Sequence, residues 1–222
     1  RFADRAHAAE VAGFFCDELL RNGTTTAAAF ATVHAASVDA LFEAARARRM
    51  RMITGKVLMD RNCPDFLRDT AETGYAESKA LIERWHNRDR LLYAITPRFA
   101  PTSTPAQMTL AGRLFNEHPG VFLQSHLAEN RAEVAWVAQL YPQARSYLDV
   151  YARAGQLGTR AVFAHCIWLD DADRRHMAET GAAMSFCPTS NLFLGSGLFD
   201  LRRARALGVR VGLGTDVGGG TS

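Results

Sequence analysis

Short apolar runs alternate with amphipathic stretches along the whole chain. Residues 24–33, 52–59, 91–96, 121–126, 161–165, 182–187 and 209–216 are rich in apolar and β-branched residues and predict seven strands. Between them, Val38, Leu41, Phe42 and Ala45 recur at i, i+3, i+4 and i+7, as do Val134, Val137, Ala138 and Tyr141, which predicts one-faced helices. The strands are apolar on both faces rather than alternating, the pattern of a parallel sheet covered by helices. Their starts fall about 30 residues apart, the size of a βαβ unit. Asn22-Gly23, Gly181 and Gly208 stand where helices should stop, and Pro105 and Pro188 lie in strand-to-helix connections, where a missing N–H costs little.

This predicts an α/β fold of the (β/α)8 TIM-barrel type, with about seven parallel strands preceded by one helix. The first strand and the last helix of a full barrel are not found. A doubly wound open sheet is the alternative, but no G-x-G-x-x-G follows the first strand. The 222 residues, 48% of them hydrophobic, are read as one domain spanning 1–222.

A net charge of +3 is too mild to imply a nucleic-acid partner, and the one dense basic run, 46–51, falls at a helix end. No apolar run is long enough for a membrane span. Cys16, Cys63, Cys166 and Cys187 form no C-x-x-C pair, which points to reduced thiols and a cytoplasmic protein.

In a parallel barrel every strand's C-terminal end opens onto one rim. That rim would gather Arg98 and Phe99, His126 and Glu129, His165, Ser190 and Asn191, and Asp216. The spacing H-x-x-E occurs three times, at His7, His126 and His176, but the first and third lie in helical patterns where such a pair is a surface contact. Only His126 closes a strand, and His165 and Asp216 occupy equivalent positions. Histidine and aspartate suit one divalent metal, Zn²⁺ first and Fe²⁺ as the alternative, with a coordination position left for water. Ser190 and Asn191 could equally cap the following turn.

The segments TPRFAPT (96–102), QSHLAEN (124–130), AHCIWLDD (164–171), CPTSNLFLGSG (187–197) and GLGTDVGGGTS (212–222) resemble the guanine deaminases of the metal-dependent amidohydrolase superfamily. TPRFAPT is the part that points to guanine. The rest is similar to a broader branch that includes cytosine deaminases and chlorohydrolases. The resemblance implies hydrolysis of guanine to xanthine and ammonia by a metal-activated water. His126 and Asp216 would be metal ligands, Glu129 the proton shuttle, and His165 a contact to the attacking water or the substrate. Arg98 and Phe99 would recognise the purine, and a homodimer is implied. The superfamily pattern also includes an H-x-H pair at the end of the first strand, and this chain has none. With the missing first strand and last helix, this leads to the expectation that residues 1–222 are an interior portion of a longer chain, inactive alone.

Three other readings compete. A deaminase or chlorohydrolase of another aminated heterocycle would share the metal-side residues and differ at Arg98 and Phe99. In a phosphate-binding barrel, the glycines of GLGTDVGGGTS would form an anion nest, although the Asp216 carboxylate would repel phosphate. A non-catalytic scaffold would have no use for His126, Glu129, His165 and Asp216 together.

Overall fold

The computed structural model describes residues 1–220. Its strands are β1 (Thr26–Ala28), β2 (Arg51–Thr54), β3 (Val57–Leu58), β4 (Leu91–Pro97), β5 (Phe122–Leu127), β6 (Ala161–His165), β7 (Ala183–Phe186) and β8 (Arg210–Leu213). All pair in parallel, in the order β1-β2-β4-β5-β6-β7-β8, with β3 also against β4. The helices between them are α1 (Arg5–Arg21), α2 (Ala35–Ala47), α3 (Ala71–Trp85), α4 (Pro105–Glu117), α5 (Arg131–Leu140), α6 (Tyr147–Arg153), α7 (Asp171–Thr180), α8 (Pro188–Phe193) and α9 (Leu201–Ala206).

The sheet is curled into the arc of a (β/α)8-type barrel. One hydrogen bond demonstrates the curl: Gln124 Nε2 on β5 donates to the Ala29 carbonyl just beyond β1, at 3.0 Å. Three strand spacings separate β1 from β5, about 14 Å in a flat sheet, which a glutamine side chain cannot span. The convex face packs on the helices, where Leu123, Leu127, Phe163 and Met184 are buried. The concave face lines a cavity of about 150 Å³ through Ile53, Phe122, Gln124, Val162, Ala164 and Ser185. Both faces are largely apolar, which is why the strands do not alternate in sequence. Burial does alternate, as along β6, because the concave side is only partly covered among the described residues.

Three predicted strands differ most from the observed ones. The run 24–33 pairs only over β1, because Thr32 and His34 turn the chain into α2 through bonds with Ser37. The run 52–59 is broken between β2 and β3. Gly55 crosses so close to β4 that a Cβ there would lie 1.8 Å from the Ala94 carbonyl oxygen, and Lys56 turns inward, where Asp69 and Glu77 neutralise it. The run 209–216 stops pairing at Leu213, and Asp216 adopts a left-handed φ of 51°. Two of the connections carry two helices where one was expected, α5 with α6 and α8 with α9. The four cysteines are free thiols, and among the described residues no helix is long and apolar enough to cross a membrane.

The end of the barrel opposite the rim carries a pH-sensitive contact. His86, which ends α3, accepts the Tyr93 N–H on Nδ1 at 3.1 Å, so the neutral ring carries its hydrogen on Nε2. Desolvation, followed by the charges of Arg160 and His118, lowers its pKa. The native state therefore binds this proton less readily than the unfolded chain. The associated stability is complete above about pH 6.5, the ordinary imidazole value, and is lost as pH falls through the lower native value. Urea unfolding at pH 8 and pH 5 should show that loss. His86→Asn, whose amide oxygen accepts the same bond without titrating, should reduce it; an unchanged pH dependence would assign it to other groups.

Candidate functional site

The C-terminal ends of β5 and β6, the connection into α5 and the turn after β8 bring His126, Glu129, His165 and Asp216 together, while Arg98, after β4, reaches them through its backbone carbonyl. His126 lies on the concave side of β5, two residues beyond Gln124. Its Nδ1 is 2.6 Å from the Arg98 carbonyl. A carbonyl only accepts, so Nδ1 carries the hydrogen and the neutral ring presents the Nε2 lone pair. Desolvation is the main cause that lowers the His126 pKa, and the neighbouring His165 adds to it. The bond to Arg98 and the Asp216 carboxylate act in the other direction. The balance favours the uncharged form that binds metals.

His165 shows why strand periodicity alone could not aim the site. On strict alternation it shares a face with the helix-facing Ala161 and Phe163. A φ of 71° at His165, followed by 53° at Cys166, breaks the alternation. Such backbone costs on the order of 1–3 kcal/mol per residue and clusters at functional sites. The His165 ring stacks on His126 with centroids 5.5 Å apart and planes at 20°. Its Nε2 lies 3.7 Å from Glu129 Oε2 and 4.0 Å from Asp216 Oδ2. An imidazole that is 1% exposed thus faces two part-buried carboxylates.

Tyr151 on α6 braces the β5 end from behind. Its hydroxyl accepts the Ala100 N–H at 3.1 Å, donates to the His126 carbonyl at 2.8 Å and lies 2.9 Å from Ser125 Oγ. Phe30 packs on the His126 ring, centroids 4.7 Å apart. Arg98 is exposed and rests its guanidinium 4.8 Å above the Phe99 ring, which meets Trp136 edge-on. Among the described residues no carboxylate pairs with Arg98.

Two donors, His126 Nε2 and the Asp216 carboxylate, have the chemistry of metal ligands. Among the described residues, no group of three or more His, Cys, Asp or Glu is arranged to hold a metal. Cys187, at the end of β7, does not supply a third. Burial raises its thiol pKa, the Ser185 hydrogen bond opposes this, and the Asp216 charge adds to the rise.

Sequence reasoning did not identify Ser196, whose Oγ donates to Glu129 Oε1 at 2.9 Å, nor Phe30 and Tyr151. It left Ser190 and Asn191 open, and neither caps a turn. Asn191 Oδ1 is 2.9 Å from His165 Nδ1, while Ser190 Oγ and Asn191 Nδ2 are buried without a partner among the described residues.

The amidohydrolase family profile matches residues 3–222. The chain is 57% identical over 222 residues to guanine deaminase of Escherichia coli K12, covering 100% of this chain and 51% of that protein. The solved E. coli guanine deaminase superposes with a TM-score of 0.99 over 100% of this chain and 52% of its own. A guanine deaminase from C. acetobutylicum, solved with guanine bound in its active site, is 33% identical with a TM-score of 0.95, covering 99% of this chain and 52% of its own. Atrazine chlorohydrolase TrzN from Arthrobacter aurescens TC1, solved with zinc, is 22% identical with a TM-score of 0.84 over 93% of this chain and 48% of its own, a likeness of fold. The chain spans about half the length of the curated relatives it matches.

Proposed function

This chain belongs to the amidohydrolase family, and we propose that its rim is part of a hydrolytic deaminase site that takes guanine and water to xanthine and ammonia. The observation that carries the reading is the convergence of Glu129 and Asp216 on His165 Nε2, with the His126 ring stacked beside it. The guanine deaminases among its relatives support the choice of substrate.

His126 Nε2 and the Asp216 carboxylate would hold the metal, Zn²⁺ first and Fe²⁺ as the alternative, as part of its ligand set. When bound, such an ion lowers the pKa of a coordinated water toward neutrality. Asp216 takes the proton that water gives up. Glu129 delivers a proton to the ring nitrogen next to the amino-bearing carbon, so that electrons displaced by the attack are neutralised there. Asp216 then hands its proton to the amino group, which leaves as ammonia, and the proton of the new hydroxyl returns to Glu129 as the carbonyl of xanthine forms. His165 orients the attacking water or the substrate from its position between the two carboxylates. Arg98 donates to the purine carbonyl, and Phe99 covers a face of the base. In this reading the complete enzyme acts as a homodimer.

Turnover is tested on the complete, zinc-loaded protein by ultraviolet absorbance and ammonia release. Guanine should be consumed. Hydrolysis of a different aminated heterocycle with guanine untouched would overturn the choice of substrate.

Arg98→Met should raise KM for guanine about 10- to 100-fold, the worth of a hydrogen bond to a charged group. Metal content should not change, because the Arg98 contact to His126 is made by its backbone carbonyl. An unchanged KM would remove the guanidinium from base recognition.

A further inference from the structure

The segment 187–197 is built inside out for a surface helix and turn. Leu192, Phe193 and Leu194 are 65%, 63% and 55% exposed, whereas Ser190, Asn191 and Ser196 are buried. Apolar burial therefore does not explain how α8 and its following turn are seated, and the inward face is given over to polar contacts.

Those contacts reach two of the groups that meet at the rim. Ser196 Oγ donates to Glu129 Oε1 at 2.9 Å, which leaves Oε2 as the oxygen facing His165. Asn191 Oδ1 accepts from His165 Nδ1 at 2.9 Å, which fixes the ring and directs Nε2 toward the carboxylates. The Ser196 N–H donates to the Asn191 carbonyl at 2.9 Å, so the two contacts belong to one turn.

Behind the turn, Trp168 Nε1 donates to the Ser196 carbonyl at 2.9 Å, and Arg131 at the start of α5 lies 3.9 Å above the Trp168 ring. Gly197, with φ of 135°, presses against that ring, and a Cβ there would come within 2.8 Å of it. The turn is thereby anchored to the same β5–α5 connection that carries Glu129.

We propose that Ser196 and Asn191 are positioning residues, which aim the Glu129 carboxylate and the His165 imidazole at each other across the reacting centre. The proposal rests on the reading of Glu129 as proton shuttle. Neither residue touches the reacting atoms. A carboxylate with one oxygen tied keeps the other in line for transfer, and hydrogen bonds that hold a functional side chain in place are typically worth about 10- to 100-fold in activity.

The test is a double-mutant cycle in the complete, metal-loaded enzyme. Ser196→Ala should lower kcat about 10- to 100-fold, with KM within about twofold of wild type and bound metal unchanged. In the Glu129→Gln background the same change should cost less than about twofold, because the group it serves is already disabled. Asn191→Leu should lower kcat similarly, and Asn191→Asp, which keeps an acceptor for His165 Nδ1, should recover most of it. Wild-type kcat in Ser196→Ala, or an equal loss in both backgrounds, would reduce the hydroxyl to a support for the turn and overturn the proposal. If the wild type leaves guanine untouched, the choice of substrate fails separately. The cycle is then run on whichever aminated heterocycle the enzyme hydrolyses, since Glu129 has the same task there.

Discussion

Glu129→Gln lowers kcat for guanine by about 100- to 10,000-fold, the usual worth of general acid–base assistance, and leaves KM within a few-fold. Glutamine is the informative replacement because it keeps the shape of the side chain and an oxygen that accepts from Ser196 Oγ. The loop therefore has no reason to move, and only the transferable proton is lost. A fall in kcat with KM intact is the signature of an interaction made in the transition state alone. Steady-state kinetics with a parallel metal assay decide the matter. A variant within threefold of wild type would take Glu129 out of proton transfer and leave it as a structural partner of Ser196.

The residues that meet at the rim were legible for a simple reason: in a parallel sheet, strand ends far apart in sequence converge. His126, His165 and Asp216 follow from their places at the ends of predicted strands and Glu129 from its spacing to His126, and position also separated His126 from the other two H-x-x-E pairs. His176 and Glu179 form an exposed contact at 3.9 Å on α7, and His7, on α1, packs on Phe2 ahead of that helix. The motifs named the family that the comparisons give. The aim of the side chains was not legible. His165 faces the site through a left-handed residue that periodicity places on the opposite face. Ser196 and Asn191 reach Glu129 and His165 across 67 and 26 residues, by contacts that exist only once the turn is seated. The break at Gly55 likewise depends on how closely β4 passes, a property of the neighbouring strand.

Asp216→Asn should weaken metal binding at least about 100-fold, as a ligand should matter no less than the partners around it. Loss of its proton acceptor should lower turnover by a further 100- to 10,000-fold or so at saturating metal. Asparagine is chosen because Asp216 sits at φ 51°, a conformation that asparagine tolerates better than most residues. Alanine there would mix backbone strain with loss of the ligand. His126→Gln is the matching change on β5: its amide N–H can still donate to the Arg98 carbonyl, while the imidazole lone pair is gone. Both variants should retain the wild-type fold by circular dichroism and lose metal by elemental analysis. His126→Gln should fail mainly in metal content, and Asp216→Asn in both metal content and turnover, because only Asp216 is assigned a proton to carry. Full metal occupancy in Asp216→Asn would remove its carboxylate from the ligand set and leave its approach to His165 as electrostatics alone.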